Sequence, residues 1–220
     1  MLETVEIPEG EFLMGCERGA ANERPLHTVR LERFAIARYA VTNSLFDQFI
    51  LETGRSRAAV EFPDSDQPVT SVSWFDSTQF CEWLAKTTGK AYRLPTEAEW
   101  ERAARGNVGD GLYILGNEPQ SLDRSRWQHG PEPVSSGTRN TIGVYGMCEN
   151  VHEWCSDWYD PEYYSYSPRD NPTGPRSGTR RASRGGSWRH EIKVSRVAAR
   201  SSIPPDYKYA DYGFRCALSL

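Results

Sequence analysis

The chain has no apolar run approaching the roughly 20 residues needed to cross a bilayer, so membrane insertion is not expected. Its first ten residues lack the basic segment and apolar stretch of a secretory signal, and the expectation is a soluble, cytoplasmic protein. Charge of one sign is also missing. The 220 residues carry 26 Lys and Arg against 30 Asp and Glu, a net charge of −4 with both signs mixed. Without a basic stripe to follow a phosphate backbone, nucleic acid is not an expected partner. Sulfur is sparse: Cys16, Cys81, Cys148, Cys155 and Cys216 are odd in number and scattered. That pattern reads as free thiols in a reducing compartment, with neither a CxxC pair nor a zinc spacing. Imidazole is scarcer still. His27, His129, His152 and His190 show no HxxxH or HxE spacing, so no metal ligand set and no catalytic residue is expected from them.

What the chain does have is aromatic mass. Seven Trp and 11 Tyr suit a fold held by large anchors. Trp74, Trp83, Trp100, Trp154 and Trp158 are expected in the core. Short strands are expected over residues 4–14 and 27–39, where polar and apolar positions nearly alternate. A first helix follows Thr42 or Asn43 as N-cap, with Leu45, Phe46, Phe49 and Ile50 as its apolar stripe and Gly54 as its stop. A second starts at Ser73, with Asp76 at capping-box spacing, and runs through Phe80, Trp83 and Leu84 towards Gly89. A third starts at Thr96, with Glu99 three residues on, and ends before Gly106. Beyond Gly106 the chain turns rich in Gly, Pro, Asn and Ser, yet eight of the 11 tyrosines lie past residue 140. Such sequence reads as long loops pinned to a small sheet, since a disordered tail lacks large apolar groups. Further strands are expected over residues 180–188, 195–200 and 214–218. One domain is expected over residues 1–220.

Several segments, in order, resemble the formylglycine-generating enzyme family, also called the sulfatase-modifying-factor domain. They include Pro8-Glu9-Gly10-Glu11-Phe12-Leu13-Met14-Gly15, Tyr92-Arg93-Leu94-Pro95-Thr96-Glu97-Ala98-Glu99-Trp100-Glu101, Asn150-Val151-His152-Glu153-Trp154, Arg184-Gly185-Gly186-Ser187-Trp188 and Gly213-Phe214-Arg215. The resemblance implies an α+β, C-type lectin-like fold with small twisted antiparallel sheets, about three helices and long loops. Family enzymes carry a copper-binding cysteine pair shortly after the Arg-Gly-Gly-Ser-aromatic motif. Here the stretch 189–197 offers His190 and Glu191 but no sulfur, and thiolates are the natural ligands of monovalent copper. Formylglycine chemistry is therefore not expected. For Cys216, a structural cysteine by resemblance, residues 101–104 hold no partner. Calcium is a candidate cofactor by resemblance, through Asn150 and Glu153. It is disfavoured by Gly146, which stands where an oxygen ligand is expected, and by Glu149, which replaces a glycine. No cofactor is expected.

The run from Arg184 to Arg215 also resembles the display cassette of the variable proteins of diversity-generating retroelements, non-catalytic members with a mutable C-terminal surface. The resemblance implies a ligand-binding surface. Its expected residues are Trp188, Arg189, His190, Ile192, Val194, Ser201, Ser202, Ile203, Tyr207, Tyr209, Asp211 and Tyr212. Adenine-directed change of Asn codons reaches most of these side-chain types but not Glu191, Lys193 or Lys208. Composition points the same way, because tyrosine with small polar neighbours is the chemistry of a paratope. Neither residues 189–194 nor residues 201–212 read as a core strand. The expected partner is a protein or other macromolecular ligand. Two alternatives stand beside this: an oxidoreductase of the formylglycine type acting on a protein cysteine, with ligands such as His190 and Glu191, and a domain of a longer polypeptide such as a kinase fusion.

Overall fold

The computed structural model describes residues 2–57, 60–118, 129–191 and 195–220. Three helices form where the caps predict. Helix α1 (Asn43–Thr53) is capped by the Thr42 hydroxyl, which accepts from the Leu45 amide, and ends on Gly54 at φ 67°. Helices α2 (Trp74–Thr88) and α3 (Glu97–Arg105) each open with a complete capping box, Ser73 with Asp76 and Thr96 with Glu99. A reciprocal cap satisfies two amides that a helix start otherwise leaves without a partner.

The strands are shorter and more numerous than the alternation predicts. Residues 4–14 split at Pro8-Glu9 into β1 (Thr4–Ile7) and β2 (Gly10–Met14). Residues 27–39 split at Glu32-Arg33 into β3 (His27–Leu31) and β4 (Phe34–Ala37). β2 and β3 form a two-stranded sheet. A second sheet has the order β1-β4-β10-β5, with β5 at Tyr92–Arg93 and β10 at Ala217–Ser219, so the last strand lies between elements from the first half of the chain. A third sheet, ordered β8-β7-β6-β9, carries the C-terminal motifs. Its strands are β6 (His152–Trp158), β7 (Arg181–Arg184), β8 (Arg200–Ile203) and β9 (Tyr212–Gly213).

Three expectations fail in this third sheet. β6 and β9 run parallel, so the sheets are not purely antiparallel. Residues 195–199 are loop, and the strand β8 starts at Arg200, the end of the expected strand, and continues into a run expected to hold no core strand. Ser201 and Ser202 satisfy their backbone by pairing with Ser183 and Ala182, so pairing overrides their weak strand propensity. β6 itself has a continuous rather than alternating buried pattern, the mark of a strand covered on both faces.

Two hydrophobic clusters lie between these layers. In one, Phe46, Phe49, Phe80 and Phe214 pack ring against ring at 5.2–6.3 Å, joining α1 and α2 to the C-terminal segment. Each such side chain contributes about 1.5–3 kcal/mol by burial. Trp100 and Trp154 are fully buried. Trp74, Trp83 and Trp158 are only half-buried, against expectation. Trp74 and Trp158 instead clamp the Arg181 guanidinium, at 3.7 and 3.5 Å from their ring centroids, which keeps that charge at a wet edge. Among the described residues no helix is long and apolar enough to cross a membrane.

Candidate functional site

The third sheet stands on buried ion pairs. Glu153 on β6 receives Arg215 side-on and the Trp100 indole N–H at 2.6 Å. Arg184, at the end of β7, is fully buried between Glu101 and the carbonyls of Val197, Ala198 and Ala199. Glu101 also binds Arg105 at 2.6 Å. Burial raises the Glu101 pKa, but the Arg105 and Arg184 charges outweigh it, and the carboxyl titrates below its ordinary range. Arg200 on β8 binds Glu97 with both carboxylate oxygens. Charges this deep persist only when paired, so the pairs hold the sheet in one geometry.

After Arg184 the chain turns outward through Gly185 and Gly186. Gly185 sits at φ 79°, where a Cβ would lie 2.8 Å from the Met147 carbonyl oxygen. At Gly186 a Cβ would collide with the Ser195 hydroxyl. The turn that follows places Trp188 half-buried, its ring edge-on to Phe62 at 5.5 Å with Arg189 4.7 Å over its face. Arg189 and His190 are exposed. Ile192 and Val194 lie outside the described residues.

Tyr207 and Tyr209 are 46% and 42% exposed, with ring centroids 5.9 Å apart. Their loop is fastened to the start of α2. The Ser71 amide donates to the Tyr209 carbonyl at 3.0 Å, the Trp74 amide donates to the Pro205 carbonyl at 3.0 Å, and Lys208 pairs with Asp76 at 2.7 Å. Ser201 and Ser202 are half-buried on β8. The remaining expected surface residues are inside. Ile203 and Tyr212 pack in the aromatic cluster, and Asp211 is 6% exposed and accepts from the Ser187 hydroxyl at 2.9 Å. Tyr212 is inward because β9 pairs with β6, which packs its ring, tilted, against Trp154 and His152.

That pairing also assembles something sequence spacing does not show. His152, His190 and Asp211 are brought together from β6, the turn after β7 and the residue just before β9, with one ligand atom of each within 4.8 Å of the others. No HxxxH repeat is needed, because sheet register does the work of sequence spacing. The sequence signal was a histidine in the Asn150-Val151-His152-Glu153-Trp154 strand and another just after the Gly-Gly turn. Burial, together with the adjacent His190, lowers His152 to about 4, so its imidazole is neutral at neutral pH.

The metals implied by the family resemblance do not fit their expected places. All five cysteines are free and buried. Cys216 faces Cys81 on α2 at 3.7 Å rather than anything near residues 101–104. Residues 184–190 themselves contribute no thiol, and the nearby Cys148 and Cys155 are buried. For calcium, Glu153 is engaged by Arg215 and Trp100, and the Asn150 side chain is closed in a two-bond pairing with the Glu132 backbone.

Comparison with known proteins agrees with this architecture. A formylglycine-generating enzyme of Streptomyces coelicolor is 36% identical over 97% of this chain and 88% of its own length. A serine/threonine-protein kinase, pkn1 of Chlamydia pneumoniae, is 32% identical over the whole chain, which spans only 38% of the kinase. Among solved structures, PvdO from Pseudomonas aeruginosa superposes with a TM-score of 0.89 at 30% identity, over 100% of this chain and 95% of its own. Treponema denticola variable protein 1 gives 0.85 at 26%, covering 98% of this chain and 94% of its own. The α+β, C-type lectin-like expectation holds. The model of the sulfatase-modifying factor enzyme 1-like domain matches residues 1–220, and the chain belongs to that family.

Proposed function

We propose that this chain is a ligand-binding member of its family, whose C-terminal face captures a protein or other macromolecule and which does not oxidise cysteine. The observation that carries the reading is the pair Tyr207 and Tyr209, exposed on a loop pinned by Ser71, Trp74 and Lys208 beside the Trp188-Arg189-His190 turn. Tyrosine offers broad contact at low entropic cost, and a loop already fixed loses little further freedom on binding. Similarity to a variable protein of Treponema denticola supports display, while similarity to formylglycine-generating enzymes leaves thiol oxidation as the competing reading.

Against thiol oxidation stand the missing sulfur in residues 184–215 and the burial of every cysteine. Panning a displayed peptide library against the purified protein tests the proposal. Enriched peptides are expected to bind the wild type and to lose it in Tyr207→Ser/Tyr209→Ser. Oxygen consumption with copper and a cysteine-containing peptide would overturn it.

A further inference from the structure

His152 Nε2 and His190 Nδ1 lie 3.2 Å apart. Two nitrogens sharing one tetrahedral ion at about 2.0–2.1 Å are roughly 3.3 Å from each other, so the imidazoles already have the separation a common ion imposes. Asp211 supplies the third donor within reach of both. We propose that His152, His190 and Asp211 form a binding site for one divalent first-row transition-metal ion. This inference is independent of the recognition role.

The surroundings match what such a site requires. His152 is tied down by its amide, which donates to the Asp211 carbonyl at 2.8 Å, and by packing of its ring against Tyr212 at 4.8 Å. Its Nδ1 is buried without a hydrogen-bond partner among the described residues. A metal-bound histidine keeps its proton on the second nitrogen, here Nδ1, and Nε2 is the nitrogen that faces His190. The Ser187 hydroxyl orients Asp211. Two ligands are therefore rigid, and the third, exposed His190, opens the path for the ion.

Two imidazoles and one carboxylate suit Zn²⁺, Fe²⁺, Co²⁺ or Ni²⁺. They are too few oxygens for Ca²⁺, and they lack the thiolate that monovalent copper prefers. With three protein ligands, at least one coordination position is left for water or a bound donor group. Tyr209 lies 5.9 Å from Tyr212, so the ion would sit at the inner end of the same aromatic face.

Titrating the untagged protein with Zn²⁺ by calorimetry, and with Co²⁺ by absorption, tests the site. One equivalent of Zn²⁺ is expected to bind, and Co²⁺ to give the visible bands of a low-coordinate nitrogen and oxygen site. His190→Ala, on an exposed residue, is expected to fold, with the melting temperature of the metal-free protein lowered slightly by loss of the His152 contact, and to weaken Zn²⁺ by roughly 100-fold or more. Ser187→Ala is expected to cost about tenfold, the penalty of losing a group that orients a ligand. Absence of saturable one-to-one binding would overturn the site, as would equal Zn²⁺ affinity in the wild type and His190→Ala.

Discussion

Glu153 and Arg215 meet side-on in the interior, with Nε to Oε2 and Nη2 to Oε1 both at 2.6 Å and each side chain only 1% exposed. The pair joins β6 to the segment leading into β10, and Arg215 also donates to the carbonyls of Ala37 and Tyr145. Arg215→Met would leave the buried Glu153 carboxylate without its counter-charge, bonded to the Trp100 indole N–H. The expected cost is about 3–5 kcal/mol, read from urea unfolding. Glu153→Leu combined with Arg215→Met should be less destabilised than Arg215→Met alone, since the orphaned charge is gone. If the double variant is the weaker, the pair contributes net stability rather than only avoiding a penalty.

Thiol reactivity gives a second outcome. All five cysteines are free and buried. Burial drives Cys81, Cys148 and Cys155 to higher pKa, which starves them of the reactive thiolate. A chromogenic disulfide reagent should therefore report no fast-reacting thiol in the native protein and five after denaturation. One fast native thiol would reopen cysteine chemistry for this fold.

The tyrosines near the C-terminus divide by burial. Tyr207→Ser and Tyr209→Ser remove exposed rings and should each change unfolding free energy by less than about 0.5 kcal/mol. Tyr212, packed against Trp154 and His152, is 5% exposed, and Tyr212→Ser should cost about 3–5 kcal/mol, as truncating a buried aromatic does. Thermal unfolding of the three variants separates surface from core.

This division explains what the sequence could and could not reveal. The helices were legible because capping is local: Ser73 with Asp76 and Thr96 with Glu99 announce their starts within four residues. β6 was missed because covering on both faces erases alternation. Asp211 and Tyr212 sit next to exposed residues in sequence, and only the parallel β6–β9 register turns them inward. The same register brings Asp211 beside His152, and the turn after β7 adds His190, which local spacing could not forecast because the three come from separate segments. Buried Arg184 and Arg215 were readable as motif residues, but their pairing emerges only in the fold, with Glu101 brought by α3 against the third sheet and Glu153 standing on β6 beside the segment that leads into β10.

Asp157 makes stability depend on pH in a direction opposite to an ordinary surface carboxylate. It is buried on β6, accepts from the Glu97 amide at 3.1 Å and from the Ser156 hydroxyl at 3.0 Å, and titrates at about 7. Burial is the main cause, followed by the Glu97 carboxylate, with Glu99 adding to it. Arg93 and Arg181 are the cations that feel its charge. Between the unfolded value near 3.8 and about 7, the folded chain keeps a proton that the unfolded chain releases. Stability from this group is therefore full below pH 4, falls as pH rises through that window, and is flat above it. Asp157→Asn keeps an oxygen to accept both hydrogen bonds while removing the charge. Relative to the wild type, it should gain about 2–4 kcal/mol on going from pH 4 to pH 8. Urea unfolding of both proteins across that range measures the difference. A constant offset would mean that Asp157 is ionised in the fold throughout, held by Arg181 more firmly than burial opposes it.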